Sequence, residues 1–92
     1  MVTLVATGVF PGHDGDEDSA CADYLMALLR GAPINTAALV RRVCDSDAGR
    51  LFVNPADPVF PASDLDLCTD LDRFDFALRG ERRDGLLVME VV

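Results

Sequence analysis

The sequence predicts a small α/β domain in which three helices accompany a small mixed sheet, an arrangement that resembles part of a three-layer α/β/α fold. Two observations lead to this class. Residues 2–6, VTLVA, are nearly all apolar, which is typical of a strand covered on both faces. Later apolar residues recur first with the helical period and, after residue 73, with the strand period. A length of 92 residues then implies one domain, 1–92.

The first helix is expected to follow a long glycine-containing loop and to run from about Glu17 to Arg30. Gly31 and Pro33 come next, in the order typical of a helix C-terminus. The apolar face of this helix is predicted from residues spaced i, i+3, i+4 and i+7, namely Cys21, Tyr24, Leu25 and Leu28.

Two further helices are expected before the C-terminal strands. Asn35 is predicted to cap a helix over 36–44, and residues 46–53 either continue that helix or restart it at Ser46. Residues 54–64 contain three prolines and are predicted to be a loop. A short helix over 64–72 is expected to follow, with its apolar side chains facing inward: Leu65, Cys68 and Leu71.

The C-terminal residues predict a β-hairpin. Phe74, Phe76 and Leu78 alternate with polar or small residues, 80–85 reads as the turn, and 86–92 as the returning strand. The N-terminal strand is expected to join these two strands in the mixed sheet. A strand buried on both faces needs neighbours on both sides, so this pattern indicates part of a larger sheet.

Composition excludes several classes of partner. The formal net charge is −8, and the eight basic residues are scattered arginines without any lysine. Nucleic acids and anionic membranes are therefore not expected as partners, because both bind through basic surfaces. No basic segment precedes the short apolar N-terminal run, and no apolar run is long enough to span a membrane. A cytoplasmic location is expected.

The cysteines indicate neither zinc nor disulfides. Cys21, Cys44 and Cys68 are odd in number, widely spaced and without a CxxC pair. Each falls within an apolar helical pattern, so buried, reduced thiols are predicted.

An acidic cluster at the start of the first helix admits two interpretations. Carboxylates in a first helical turn complement the helix dipole, so Asp14, Asp16, Glu17 and Asp18 can be read as a charged helix start. The cluster also follows the carboxyl end of the predicted first strand, where α/β sheets bind ligands. Because these carboxylates would repel a phosphate, Mg²⁺ held by one or two of them would explain the placement.

An EF-hand calcium loop is excluded, although three aspartates alternate at its start. Ser19 occupies the position of the invariant glycine, and Leu25 that of the bidentate glutamate. His13, the single histidine, lies beside the cluster and is a weak candidate for a general acid or base. The nucleophile is not identified by the sequence.

Several segments together resemble the C-terminal portion of the 2-phosphosulfolactate phosphatase family. They are VTLVATG, EDSACADYL, SDAGRLF and DLDLCTDLDRFDFAL, followed by a terminal strand, and their order and spacing extend over essentially the whole chain. The most specific parts are the Glu17-Asp18 pair, Ser46 with Gly49 and Arg50, and the run from 71 to 75.

The resemblance implies a magnesium-dependent phosphatase that hydrolyses phosphate monoesters of 2-hydroxy acids, with phosphosulfolactate on the way to coenzyme M as the name-giving substrate. Glu17 and Asp18 then become the candidates for the metal region, with Asp14 and Asp16 as weaker ones. Arg50 becomes a candidate for binding the anionic substrate or for pairing with a carboxylate. Arg73 and Asp75 are expected to be structural, as an ion pair or a cap at the junction between helix and strand.

Members of that family carry an extended N-terminal half that these 92 residues do not include. Whether the chain is active alone is therefore left open. We expect it to form a homo-oligomer or to pair with the missing half. The alternative is a non-catalytic scaffold or oligomerisation module derived from the same family.

Overall fold

The computed structural model of the chain describes residues 1–8 and 11–92. Three α-helices and one two-stranded antiparallel sheet confirm the predicted α/β class. The elements are, in chain order, α1 (Asp16–Arg30), α2 (Thr36–Asp45), a 3₁₀ helix (Gly49–Phe52), α3 (Ala62–Thr69), β1 (Leu78–Arg83) and β2 (Leu86–Val91).

The predicted limits of the first two helices are confirmed. Gly31 ends α1 in the left-handed conformation, with φ 63°, and its amide donates to the Leu28 carbonyl at 3.2 Å. The Asn35 side chain accepts a hydrogen bond from the Ala38 amide at 3.0 Å and thereby caps α2. α2 does not continue through residues 46–53. Ser46 has an extended backbone, and a separate 3₁₀ helix begins at Gly49.

The predicted N-terminal strand is wrong. Residues 2–6 pair with no strand in the described part of the chain, and Val2 and Val5 are 66% and 74% exposed. The hairpin strands pair with each other. A β-strand requires a neighbouring strand to which it is hydrogen-bonded, so the apolar composition of residues 2–6 was not sufficient to form a strand. The mixed sheet is accordingly reduced to the hairpin.

The hairpin is confirmed, but its predicted turn is displaced. The turn is Asp84-Gly85, with φ 51° and 79°, and β1 extends through Arg83. Positive φ at both central residues is the requirement of a type I′ turn, and Asp-Gly is a strong signal for it. Ala77 and Val92 lengthen the ladder by exchanging amide hydrogen bonds of 3.1 and 2.9 Å.

The helices pack on one another but enclose little. α1 contacts α2, and the 3₁₀ helix contacts α2 and α3. Ala20 is the buried apolar side chain among the described residues. The accessible surface is 7202 Å², whereas a compact monomer of this mass exposes about 5,200 Å². The radius of gyration is 15.3 Å, against about 12 Å expected for this length.

This open packing also corrects the predicted burial of the thiols. All three cysteines are free, as predicted, but Cys21 and Cys68 are exposed and Cys44 is half-buried. The face of α1 that carries Cys21 and Leu25 borders the N-terminal segment at Leu4 and Val5, but the side chains of Cys21 and Leu25 stay exposed, so the predicted burial was wrong. Within the described residues, no helix is long and apolar enough to cross a membrane.

Candidate functional site

Glu17, one of the four residues of the predicted acidic cluster, lines a cavity of about 280 Å³ beside the N-terminus of α1. Five segments meet there: the N-terminal segment at Gly8, the loop that precedes α1, the first turn of α1, the segment at the 3₁₀ helix and the loop before α3. The lining residues are Gly8, His13, Gly15, Glu17, Ala48, Leu51 and Phe60.

Asp14 and Asp47 join the loop before α1 to the segment after α2. The Asp14 carboxylate accepts from the amides of Asp16 and Asp47, at 3.0 and 3.4 Å, and the Asp47 carboxylate accepts from the Asp14 amide at 2.9 Å. The Asp14 carboxylate therefore binds backbone amides of two segments. Asp47 was not predicted as a site residue, and its Ser-Asp-Ala-Gly context indicated only a turn.

Ser46 and Gly49 hold the 3₁₀ helix against the end of α2. The Ser46 hydroxyl is 2% exposed; it donates to the Val43 carbonyl at 2.6 Å and accepts from the Gly49 amide at 3.0 Å. A Cβ on Gly49 would overlap the Val43 carbonyl oxygen and lie 2.8 Å from that of Cys44. Only glycine permits this approach, which brings Ala48 to the cavity wall.

Asp16 faces away from the cavity toward Arg42. The guanidinium donates through Nε and Nη2 to the Asp16 carboxylate at 2.7–2.9 Å and through Nη1 to Asp23 at 2.7 Å. Hydrogen bonding from Arg42, aided by its charge and opposed by burial, lowers the pKa of Asp16. The same bonds raise the pKa of Arg42. Asp16 thus joins α1 to α2.

Replacing Arg42 by methionine should lower the free energy of unfolding by about 1 kcal/mol at pH 7, since a bidentate but partly exposed pair is lost. The pKa of Asp16 is below its usual 3.8 in the folded state. The stabilisation is therefore fully present above that value and lost as pH falls through the folded pKa. Urea unfolding at pH 7, 5 and 3 measures this.

Arg41→Met is the matched control. Arg41 is the exposed neighbour of Arg42 on the same helix, and its substitution removes the same charge. The assignment is contradicted when both variants lose equal stability, or when the loss in Arg42→Met does not shrink below pH 4.

Asp18 fixes the loop that crosses the start of α1. Its carboxylate accepts hydrogen bonds from the amides of Thr7, at 3.1 Å, and Gly8. A Cβ built on Gly8 would lie 2.6 Å from Oδ2 of Asp18 and 3.5 Å from Oε1 of Glu17. The absence of a side chain at Gly8 therefore leaves room for both carboxylates.

Glu17 differs from the other three acidic residues. Its Oε2 atom is buried and has no hydrogen-bond partner among the described residues. The side chain lines both the cavity already described and a second one of about 140 Å³, whose other walls include Val43, Phe52 and Leu65. A carboxylate oxygen removed from water without a partner is unfavourable unless a cation or a proton satisfies it.

The two basic candidates are placed differently. His13 lines the cavity, is half-exposed, and has Nδ1 4.0 Å from the Asp47 carboxylate. Arg50 is exposed on the 3₁₀ helix and lines neither cavity that Glu17 borders. Arg73 forms an ion pair with Asp70 at 2.8 Å, three residues earlier in the chain, rather than with Asp75.

The residues fit a magnesium ion only in a limited way. Across residues 1–8 and 11–92, no group of three His, Cys, Asp or Glu side chains is arranged to hold a metal ion. Mg²⁺ is commonly held by one or two carboxylates together with waters, however. Glu17 supplies an oxygen without a hydrogen-bond partner among the described residues, so Glu17 is the residue that would hold the ion, with Asp18 beside it.

The chain is similar to a probable 2-phosphosulfolactate phosphatase of Bacillus subtilis (strain 168). The two are 32% identical over 72 residues, which are 77% of this chain and 31% of that protein. The chain thus spans about a third of the relative's length. No family model matches the sequence, and no solved structure matches it. The resemblance predicted from the sequence is supported at this distance.

Proposed function

We propose that this chain contributes part of a phosphatase site that acts on phosphate monoesters of 2-hydroxy acids with the aid of Mg²⁺. The observation that carries the proposal is the buried Oε2 of Glu17, which has no hydrogen-bond partner among residues 1–8 and 11–92 and lies at a cavity that His13 also lines. The similarity to a probable 2-phosphosulfolactate phosphatase supports phosphatase-like chemistry.

Electrostatics explains why a cation belongs to the proposal. Asp14, Asp16, Glu17 and Asp18 lie within five positions at the start of α1. A phosphate ester approaching this turn would meet several negative charges at short range, of which only that of Asp16 is offset by Arg42. A divalent cation at Glu17 would offset two of the three remaining negative charges and give the anion a positive centre to bind.

Each residue has a proposed task. Glu17 holds the cation, and Asp18 keeps the loop at Thr7 and Gly8 in place beside it. Bound Mg²⁺ would polarise the phosphoryl group and lower the pKa of an attacking water. His13 is proposed as a proton donor or acceptor at the cavity edge. Groups outside the matched third of the relative are proposed to complete the site.

Thermal unfolding of the full chain with increasing Mg²⁺ tests the cation. At Mg²⁺ ten times above Kd, the free energy of unfolding should rise by about 1.4 kcal/mol and the Tm by about 5–10 °C. Glu17→Gln should abolish this rise because the amide cannot replace the carboxylate charge. Glu81→Gln, which makes the same change on the hairpin, should keep it.

The cation proposal fails when wild type shows no Mg²⁺-dependent rise or when Glu17→Gln retains it in full. The activity is tested separately by release of inorganic phosphate from 2-phosphosulfolactate, with Mg²⁺ and with EDTA. Release that depends on Mg²⁺ and on Glu17 would support the phosphatase.

The second candidate is a non-catalytic scaffold related to the same proteins. One observation favours it: Asp14, Asp16 and Asp18 are all engaged with backbone amides or with Arg42, as expected of a charged helix start. This reading predicts neither a Mg²⁺-dependent rise nor phosphate release, and it is contradicted by either one.

A further inference from the structure

The hairpin has two chemically different faces. Residues paired across an antiparallel ladder point to the same side, so the pairs Leu78–Val91, Gly80–Met89 and Arg82–Leu87 share one face. We call these six residues the apolar face. Its four large apolar side chains are between 57% and 75% exposed.

The opposite face is occupied by ion pairs. Glu90 accepts from Arg79 at 3.1 Å and from Arg83 at 2.6 Å, and Arg83 also donates to Glu81. Hydrogen bonds from these two arginines lower the pKa of Glu90. Because its charges are mutually paired and partly hydrated, this is the face suited to water.

Nothing in the described part of the chain covers the apolar face. The helices pack on one another, and the hairpin strands have their extensive contacts only with each other. A two-stranded hairpin alone is marginally stable in water, and a stable one needs further strands or a packed face. The accessible surface of the whole chain, 7202 Å², exceeds that expected for a compact monomer of this mass by about 2,000 Å².

We propose that two copies of this chain associate through the apolar face of the hairpin. Charge distribution favours a second copy at this place. Residues 78–92 carry three arginines and three acidic side chains, so the whole formal charge of −8 lies in residues 1–77. Two copies that meet at the hairpin bring together neutral segments and keep their acidic helical parts apart, whereas contact through the helices would oppose like charges.

The shape of the surface is suited to a two-fold interface. Face-to-face stacking of two apolar sheets at about 10 Å leaves the ion-paired faces in water. Gly80 lies in the middle of the face, where the missing side chain lowers the surface next to Met89. Such a surface can meet its own copy around a two-fold axis.

Sedimentation velocity of the full chain, from low micromolar to near-millimolar concentration, tests the proposal. Wild type should reach twice the mass of 9.9 kDa. Leu87→Glu should raise the dimer dissociation constant by about 10- to 100-fold, because it replaces the most exposed apolar side chain of the apolar face with a carboxylate. Leu86→Glu is the matched control: Leu86 is similarly exposed, at 67% against 75%, but lies on the ion-paired face. It should leave the dimer intact.

A measurement on wild type removes any dependence on the folding of the variants. In a mixture of labelled and unlabelled chains, isotope-filtered NMR should detect contacts of the Met89 methyl with Leu78 or Leu87 of the other copy. The proposal is overturned by a monomer at all concentrations, by equal weakening in both variants, or by a dimer without these intermolecular contacts. In those cases another segment or partner covers the face.

Discussion

Gly49→Ala should lower the free energy of unfolding of the helical part by about 3 kcal/mol. The new Cβ would overlap the Val43 carbonyl oxygen and crowd that of Cys44, and both belong to the backbone of the last turn of α2. Neither atom can move without breaking that turn. The 3₁₀ helix would have to withdraw, and the Ser46 hydroxyl would lose the Gly49 amide.

The effect also reaches the candidate site, since Ala48 and Leu51 line the cavity from this segment. Urea unfolding followed by helical circular dichroism measures the loss. Gly80→Ala is the matched control, because a Cβ there would lie 3.6 Å from the Met89 sulfur, an ordinary contact. That variant should stay within about 0.5 kcal/mol of wild type. Equal losses in the two variants would contradict the close approach of the 3₁₀ helix to α2.

Glu17→Met should raise the free energy of unfolding by about 1 kcal/mol in the absence of divalent cations. The substitution removes the buried oxygen that has no partner and places an apolar side chain beside Val43, Phe52 and Leu65. A residue that is retained to bind a ligand at the expense of stability is expected to increase the stability of the ligand-free protein when it is replaced.

Saturating Mg²⁺ should reverse the order of the two proteins, because only wild type gains binding energy. Thermal unfolding of both proteins with EDTA measures the first predicted effect, and thermal unfolding with Mg²⁺ measures the second. A loss of stability in Glu17→Met under EDTA would show that the carboxylate is already satisfied, and would remove the argument for a ligand at this position. Leu65→Met, a change of similar volume on the opposite cavity wall, reports the effect of repacking alone.

The sequence alone determined the features that depend on neighbouring residues. Gly31 and Asn35 mark helix ends through backbone geometry and capping, both of which act within a few residues. The alternation after residue 73 likewise indicated a hairpin, and the Asp-Gly pair carried the signal for the true turn.

Only the tertiary structure decided which side chains meet across the chain. Asp14, Asp16 and Asp18 look equivalent to Glu17 in the sequence, yet the first three find partners in Asp47, Arg42 and the loop at Gly8. Glu17 keeps a buried oxygen without a partner among the described residues, at a cavity that it shares with α2, the 3₁₀ helix and α3.

The same distinction explains the N-terminal segment. Residues 2–6 have the composition of a buried strand, but a strand and its burial require a neighbour, and the described part of the chain supplies none. Local pattern therefore determined the helices and the turn. Pairing, burial and the identity of the exceptional carboxylate depended on contacts between residues far apart in sequence, which no local pattern encodes.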